Sequence, residues 1–505
     1  MTRRAPLRST HAFDPRRLAR ERLARERGTL RRQAPVRVAL LYPSPYRVAM
    51  SSLGYQTIYR EIHALADFWA DRAFLPDDVD AHASTGEPLF GYESGLPIGD
   101  APIVAVSIAY ENELGDLLRA LRLAGIEPVA ARRGPRAPFL LGGGPLTFSN
   151  PLPLGAFFDA VLLGEAEQTV GPALEIVARA KRRDDALDEL ARRVPGCWVP
   201  AIHGERLPPS AITDDALLPA AALITTPEAE LSDMFLVEAE RGCSRGCHYC
   251  VMRRSTHGGM RIVPPEVLFE RIPPWARRVG LVGAAVSDHP RIVDIVQRLV
   301  SEGREVSLSS LRPDRLSDAL CEALRRAGHR TLTTAVDGAS QRLRDAIERK
   351  TKERHLVRAA ELARTHGFER LKLYVMIGLP GETDEDIDEL VRLSTELSRL
   401  VPLALGVAPF VSKRNTPLDG QPFAGIDVVQ RRLERLRRGV RGRVDVRATS
   451  ARWAWVEWVL AQGGIDTGLA VLDAVRAGGR FADYVRAFDA LAHRHRPRRA
   501  LPVVA

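Results

Sequence analysis

Met234 to Cys250 reads "MFLVEAERGCSRGCHYC": an apolar run, then Arg241, Gly242 and three cysteines within eight positions. The apolar run predicts a buried strand, and the glycines at 242 and 246 break the cysteine-bearing segment into a loop. Thiols three and four residues apart on such a loop can converge on one centre. Cys243, Cys247 and Cys250 offer three ligands where a closed structural site takes four, a pattern that leaves one coordination position for something else. Spacing by itself leaves open a structural zinc completed by His248 or His257.

Downstream the pattern repeats. "RVGLVGAAVS", "EVSLSSL", "TLTTAVDG", "RLKLYVMIGLPG" and "LALGVAPFV" are short apolar runs separated by amphipathic stretches such as "HPRIVDIVQRLVSEG" and "SDALCEALRRAG". Six strands joined by helices predict a partial (β/α)6 barrel of the TIM type over residues 231–424, with its chemistry at the carboxyl ends of the strands. The cysteine loop leaves the first of these strands. Upstream, "VRVALLYP", "PIVAVSIAY", "PFLLGGGP" and "DAVLLGE" alternate with helical segments over residues 35–185. Buried strands with helical crossovers imply a parallel sheet, so this half is expected to be an α/β, doubly wound, flavodoxin-like domain. A Pro-rich passage, 186–230, reads as a linker with a small hairpin, and 425–505 as a helical cap ending in a basic tail.

Composition narrows the classes. The chain has 505 residues, 45% hydrophobic and 27% charged, enough for two or three cores. Five cysteines, three of them clustered, do not make a disulfide framework, so a reducing, cytoplasmic setting is expected. No apolar run suits a membrane span, and no membrane partner is expected. The net charge of +10 resides in the ends: residues 1–34 hold eleven Arg against three acids, and the tail adds four more Arg. With only five Lys among 73 basic residues, the 1–34 arm reads as a solvated basic helix opened by Asp14-Pro15, RNA binding being the less favoured alternative. Cys321 lies on an apolar helical face, and Cys197 beside Trp198; both read as packed thiols.

Cys243-x-x-x-Cys247-x-Tyr249-Cys250 resembles the signature of the radical S-adenosylmethionine (SAM) superfamily. The resemblance implies a 4Fe-4S cluster on Cys243, Cys247 and Cys250, SAM as cosubstrate, reductive cleavage to a 5′-deoxyadenosyl radical, and an electron donor such as a flavodoxin or ferredoxin. It also implies SAM contacts at the strand ends: Tyr249 beside the cluster, Gly283 and Ala284 for the methionine amino group, Ser309 and Arg312 for its carboxylate, Asp337 and Ser340 near the ribose, and Gly378 near the adenine. A doubly wound domain ahead of such a barrel, with "LLGGGP" and "NPLPLGAFFDAVLLGEAE", is similar to the cobalamin-binding-domain branch of the superfamily, a largely uncharacterised group. Cobalamin contacts would then fall on Ser107, Gly142, Gly143 and Gly144. One departure matters. The loop after the first strand, "PSPYRVAMSSLG", has no Asp-x-His-x-x-Gly, so no imidazole is offered there to cobalt.

The implied activity is methyl transfer to an unreactive carbon. A methylthiotransferase-like, RNA-modifying enzyme is the alternative, and a non-enzymatic iron–sulfur or corrinoid sensor a second one. Substrate identity is not encoded in any charge or aromatic pattern.

Overall fold

The computed structural model describes residues 13–252, 259–308 and 311–494. Its amino-terminal sheet contains β1 (Val36–Tyr42), β2 (Phe68–Phe74), β3 (Ile103–Ser107), β4 (Phe139–Gly143), β5 (Ala160–Leu162) and β6 (Cys197–Trp198), in the order β2-β1-β3-β4-β5-β6. All pairs are parallel except β5 with β6. This is the doubly wound, flavodoxin-like order, whose switch point between β1 and β3 opens a crevice at the carboxyl ends of the strands.

Its two faces are covered differently. Helices Leu53–Ala64, Val170–Arg179 and Arg183–Arg193 pack on one face around Tyr55, Tyr59, Ile62 and Leu190. The other face receives helix Glu113–Leu123 and, from the far end of the chain, Val456, Leu460, Val471, Tyr484 and Phe488. The crossover from β2 to β3 holds only the short helix Val79–Ser84 and a 3-10 turn, and that from β4 to β5 only 3-10 turns, so local helices leave this face incomplete. The segment 451–494 fills it.

The second unit contains β7 (Met234–Glu238), the hairpin β8 (Glu240–Gly242) and β9 (Met260–Ile262), then β10 (Arg278–Val282), β11 (Glu305–Leu308), β12 (Thr331–Asp337), β13 (Arg370–Ile377), β14 (Leu403–Pro409) and β15 (Val444–Ala448). Parallel pairing gives β11-β10-β7 and β12-β13-β14-β15, linked by a bridge between Leu311 and Thr334. Six of these seven parallel strands match the expected series. The seventh, β15, lies inside the region read as helical: "VDVRA" carries charges on its outer face and has no apolar run to announce it.

Residues 186–230 form no independent hairpin. β6 extends the first sheet, and the end of the segment runs along the free edge of β7, with Ala222 N–H donating to Leu236 O at 2.7 Å and Glu238 N–H to Ala220 O at 2.9 Å. Nor is the described part of the basic arm merely solvated. Asp14 caps helix Pro15–Arg25 as expected, but Arg22 pairs with Asp77 at 2.6 Å and Glu228 at 3.2 Å. Glu26 binds the fully buried Arg72 at 2.7 Å. In the described part of the arm, Arg16, Arg22 and Arg25 meet acids that only the fold brings near. Among the described residues no helix is long and apolar enough to cross a membrane.

Candidate functional site

The β8–β9 hairpin makes the cysteine loop. Cys243 N–H donates to Gly259 O at 3.0 Å, closing the hairpin, and the Arg245 N–H points at Cys243 Sγ at 3.4 Å. His248 N–H donates to Ile347 O at 3.0 Å, which ties the loop to the segment after β12. Cys247 is buried, while Cys243 and Cys250 are half-buried, and none of the three is in a disulfide. Burial pushes Cys243 and Cys250 up, and each is raised further by neighbouring cysteines, which places the sulfurs within electrostatic reach of one another. Among the described residues no three donors are gathered tightly enough for a single ion. Three sulfurs on one loop suit a cubane that keeps its fourth iron open. His257 lies outside the described residues.

Two of the expected SAM contacts meet directly. Tyr249 donates its hydroxyl to Asp337 Oδ2 at 2.7 Å, and Arg349 Nε pairs with the same oxygen at 2.5 Å. Asp337 adopts φ 61°, a left-handed conformation that turns its carboxylate back over the loop. Arg349, buried, also donates to Ala335 O at 3.2 Å; burial would lower its pKa, but Asp337, Tyr249 and Cys247 raise it. No sequence motif marked Arg349. It lies twelve residues beyond Asp337, and the turn of the chain makes them partners.

The other expected residues are dispersed over the later strand ends. Gly283 and Ala284 begin the turn after β10, against Glu240. Arg312 is buried, its guanidinium held by Asp314 at 2.9 Å and Asp288 at 3.3 Å, with Arg245 closing the group onto both aspartates. Ser340 caps the helix Gln341–Ala346 through Leu343 N–H and donates to Asp386 Oδ1 at 2.5 Å, so its hydroxyl is engaged by the fold. Gly378, at φ 92°, donates its N–H to Glu382 Oε2 at 2.7 Å after β13. Ser309 lies outside the described residues. His289 is buried, with Nε2 on Val263 O at 3.0 Å, and Cys321 is fully buried in its helix.

The four cobalamin-contact candidates come together. Ser107 and Gly142 to Gly144 line one cavity of about 300 Å³ that also reaches Val282 of the barrel and Met252, two residues beyond Cys250. β4 decides how each glycine serves it. A Cβ on Gly142 would lie 2.9 Å from the Phe158 ring, on the far face; one on Gly143 would meet nothing closer than 3.7 Å, on the cavity face. A Cβ on Gly144, which adopts φ 105°, would lie 2.6 Å from Ile108 O. These residues fit a ligand that lies against bare backbone, as the glycine cradle and apolar lining require. In the cavity wall Arg241 joins the halves, binding Glu238 at 2.6 Å, Glu167 at 2.7 Å and Glu165 at 3.3 Å. The loop after β1 presents no histidine; His63 is buried edge-on to Tyr59, with ring centroids 4.6 Å apart, and burial pushes it down to about 4.

Three thiols on the loop leaving the first strand of an open parallel barrel, with a ligand-binding sheet beside them, define an enzyme of the radical SAM type. Family comparison agrees: the model described as "Radical SAM proteins, N-terminal" matches residues 54–200, and that of the Radical SAM superfamily matches residues 237–394. The chain belongs to the radical SAM superfamily. It is similar to an uncharacterised protein of Methanocaldococcus jannaschii, 26% identical over 76% of this chain and 80% of the relative. It is also similar to an uncharacterised methyltransferase of Pyrococcus horikoshii, 23% identical over 51% of this chain and 58% of that one. Among solved structures, the radical SAM methyltransferase TsrM from Kitasatospora setae, with cobalamin and a [4Fe-4S] cluster bound, superposes with a TM-score of 0.54 at 13% identity. The match covers 91% of this chain and all of the other. That likeness shows the shared two-domain fold.

Proposed function

We propose that the protein is a cobalamin-dependent radical SAM methyltransferase acting on an unreactive carbon. The observation that carries this reading is the continuity of the site: one cavity is lined by Ser107 and Gly142 to Gly144 on one side and by Met252, next to the cysteine loop, on the other. Cys243, Cys247 and Cys250 would hold the cluster, and the bare backbone of Gly143 and Gly144 would lie against the corrinoid. When bound, the cluster supplies an electron to the SAM sulfonium and the corrinoid an exchangeable methyl group.

The protein's own groups prepare that site. The cysteines must surrender protons to bind iron, and since burial pushes Cys243 and Cys250 up, cluster assembly releases protons and is favoured by rising pH. Arg349 beside Cys247 counters the accumulated negative charge. Asp337 fixes the Tyr249 ring over the loop. Apolar side chains around the cavity exclude water that would quench a reactive carbon centre. An external one-electron donor completes the cycle.

The RNA-modifying alternative has less support. No cysteine precedes Cys197, which is buried in β6, so the first domain has no thiols for a second cluster. The described carboxyl-terminal residues form helices engaged on the first sheet.

Anaerobic reconstitution tests the reading. We expect about four irons and four sulfides per chain, SAM-dependent release of 5′-deoxyadenosine after reduction, and cobalamin retained through gel filtration near one equivalent with a base-off spectrum, because no histidine lines the cavity among the described residues. Replacing the three cysteines with Ala removes iron and SAM cleavage. Stoichiometric zinc with no brown chromophore, or cobalamin eluting free, overturns the corresponding half.

A further inference from the structure

A second cavity, of about 460 Å³, borders the cysteine loop. Tyr249 lines it from the loop and Met376 from the carboxyl end of β13, the end of a barrel strand where chemistry is carried out. Its outer wall comes from elsewhere in the chain. Trp453 and Glu457 stand on the helix Ala451–Gln462, and Lys413 on the segment after β14. The loop therefore touches two cavities, through Met252 the one with the glycine cradle and through Tyr249 this one.

The charges of the outer wall do not cancel. Lys413 Nζ donates to Glu457 at 2.6 Å and to Glu111 at 2.7 Å. Burial would lower the pKa of this lysine, but the two glutamates raise it, so the ammonium stays charged and engaged. One ammonium between two carboxylates leaves one negative charge in excess. Lys413 and Glu457 are the only charged side chains among the described lining residues. Glu111 is buried, whereas the Glu457 side chain keeps 28% of its surface exposed, so a ligand meets the excess at Glu457. An anion, a phosphodiester included, is repelled there; a cation completes the set.

Trp453 lies one helical turn before Glu457, on the same face. Its ring is packed edge-on to Tyr484, with centroids 5.4 Å apart, yet it remains 39% exposed. An open indole beside an incompletely neutralised carboxylate offers stacking and cation–π attraction in one place. Phe410 and Met376 extend the apolar wall.

We infer that this cavity receives the substrate, and that the substrate is a small organic cation: an amine carried on an apolar, planar body. The inference rests on the methyltransferase reading above and gives it a substrate class. Glu457 pairs with the amine, Trp453 lies against the body, and the far end of the molecule reaches the cysteine loop at Tyr249.

Ligand-observed NMR titration of the reconstituted protein with 2-phenylethylamine and with 3-phenylpropionate, probes alike in shape and opposite in charge, reads the site without turnover. Saturating S-adenosylhomocysteine is present throughout to fill the cosubstrate site. Wild type binds the amine at least about tenfold more tightly. In E457Q, at unchanged iron content, that preference falls at least about fivefold; in W453A both probes weaken together. Equal affinity for the two probes, or a preference that survives E457Q, overturns the inference. So does binding of the amine that disappears when S-adenosylhomocysteine is added, because the cavity then belongs to the cosubstrate. Should E457Q not fold, E457D, which withdraws the carboxylate by one methylene, is read by the same ratio. Protein that cleaves SAM and retains cobalamin while binding neither probe refutes the substrate class alone; a preference for the amine in protein that does not retain cobalamin refutes methyl transfer and leaves the cation site standing.

Discussion

Arg72 shows how much a single residue depends on the rest of the chain. It is fully buried and held by Glu26 at 2.7 Å and Glu93 at 2.5 Å, and Glu26 comes from the arm that composition marks only as basic. Burial would lower its pKa, but the two glutamates raise it, so the guanidinium stays charged inside the domain. Removing one partner leaves a buried charge poorly compensated. Glu26→Ala is therefore expected to cost about 3 kcal/mol in urea denaturation; a loss below about 0.5 kcal/mol would mean the pair is solvated. The cysteines were legible because a metal centre can be built from residues a few positions apart on one loop. Glu240 and Arg349 were not, because an isolated Glu or Arg acquires meaning only from the groups folded against it.

Among the elements, β4 separates neighbours that look equivalent in sequence. "LLGGGP" marks a close approach to backbone without saying which glycine faces the ligand. Strand alternation answers it: Gly142 points at Phe158 and Gly143 at the cavity. Gly143→Leu should fill the cavity and weaken cobalamin retention at least about tenfold while leaving the melting temperature within a few degrees. Gly142→Leu should force the Phe158 ring to move and destabilise the domain, by about 1–3 kcal/mol as overpacked cores do. Equal effects of the two on cobalamin, with stability untouched by both, would contradict the register. β15 marks the opposite limit. Its charged edge hides a strand, because pairing with β14 supplies what its own residues do not encode.

For the whole molecule, the carboxyl-terminal helices complete the amino-terminal domain. Val456, Leu460, Val471, Tyr484 and Phe488 lie in the same core as Leu117, Leu121 and Phe157 of the first domain. Lys413, after β14, braces the junction through Glu111 at 2.7 Å and Glu457 at 2.6 Å. Truncation after Ala448 should thus unfold the first sheet rather than open the barrel, seen as dye binding to exposed apolar surface and early proteolysis within residues 100–160. Unaltered protection of that segment would show that the sheet needs only its local helices.

Alternating apolar runs and helical periods by themselves determined two parallel α/β units, and cysteine spacing picked out the loop that leaves the first barrel strand with three thiols. Both are properties of short segments, where strand burial, helix amphipathicity and ligand geometry repeat within a few residues. Only the tertiary structure decided that residues 451–494 cover a sheet built from the first 198 positions, that Arg16, Arg22 and Arg25 of the arm pair with distant acids, and that Glu240 is buried beside Gly283. Those facts depend on which surfaces remain unburied after local structure has formed, and burial is a property of the assembled chain.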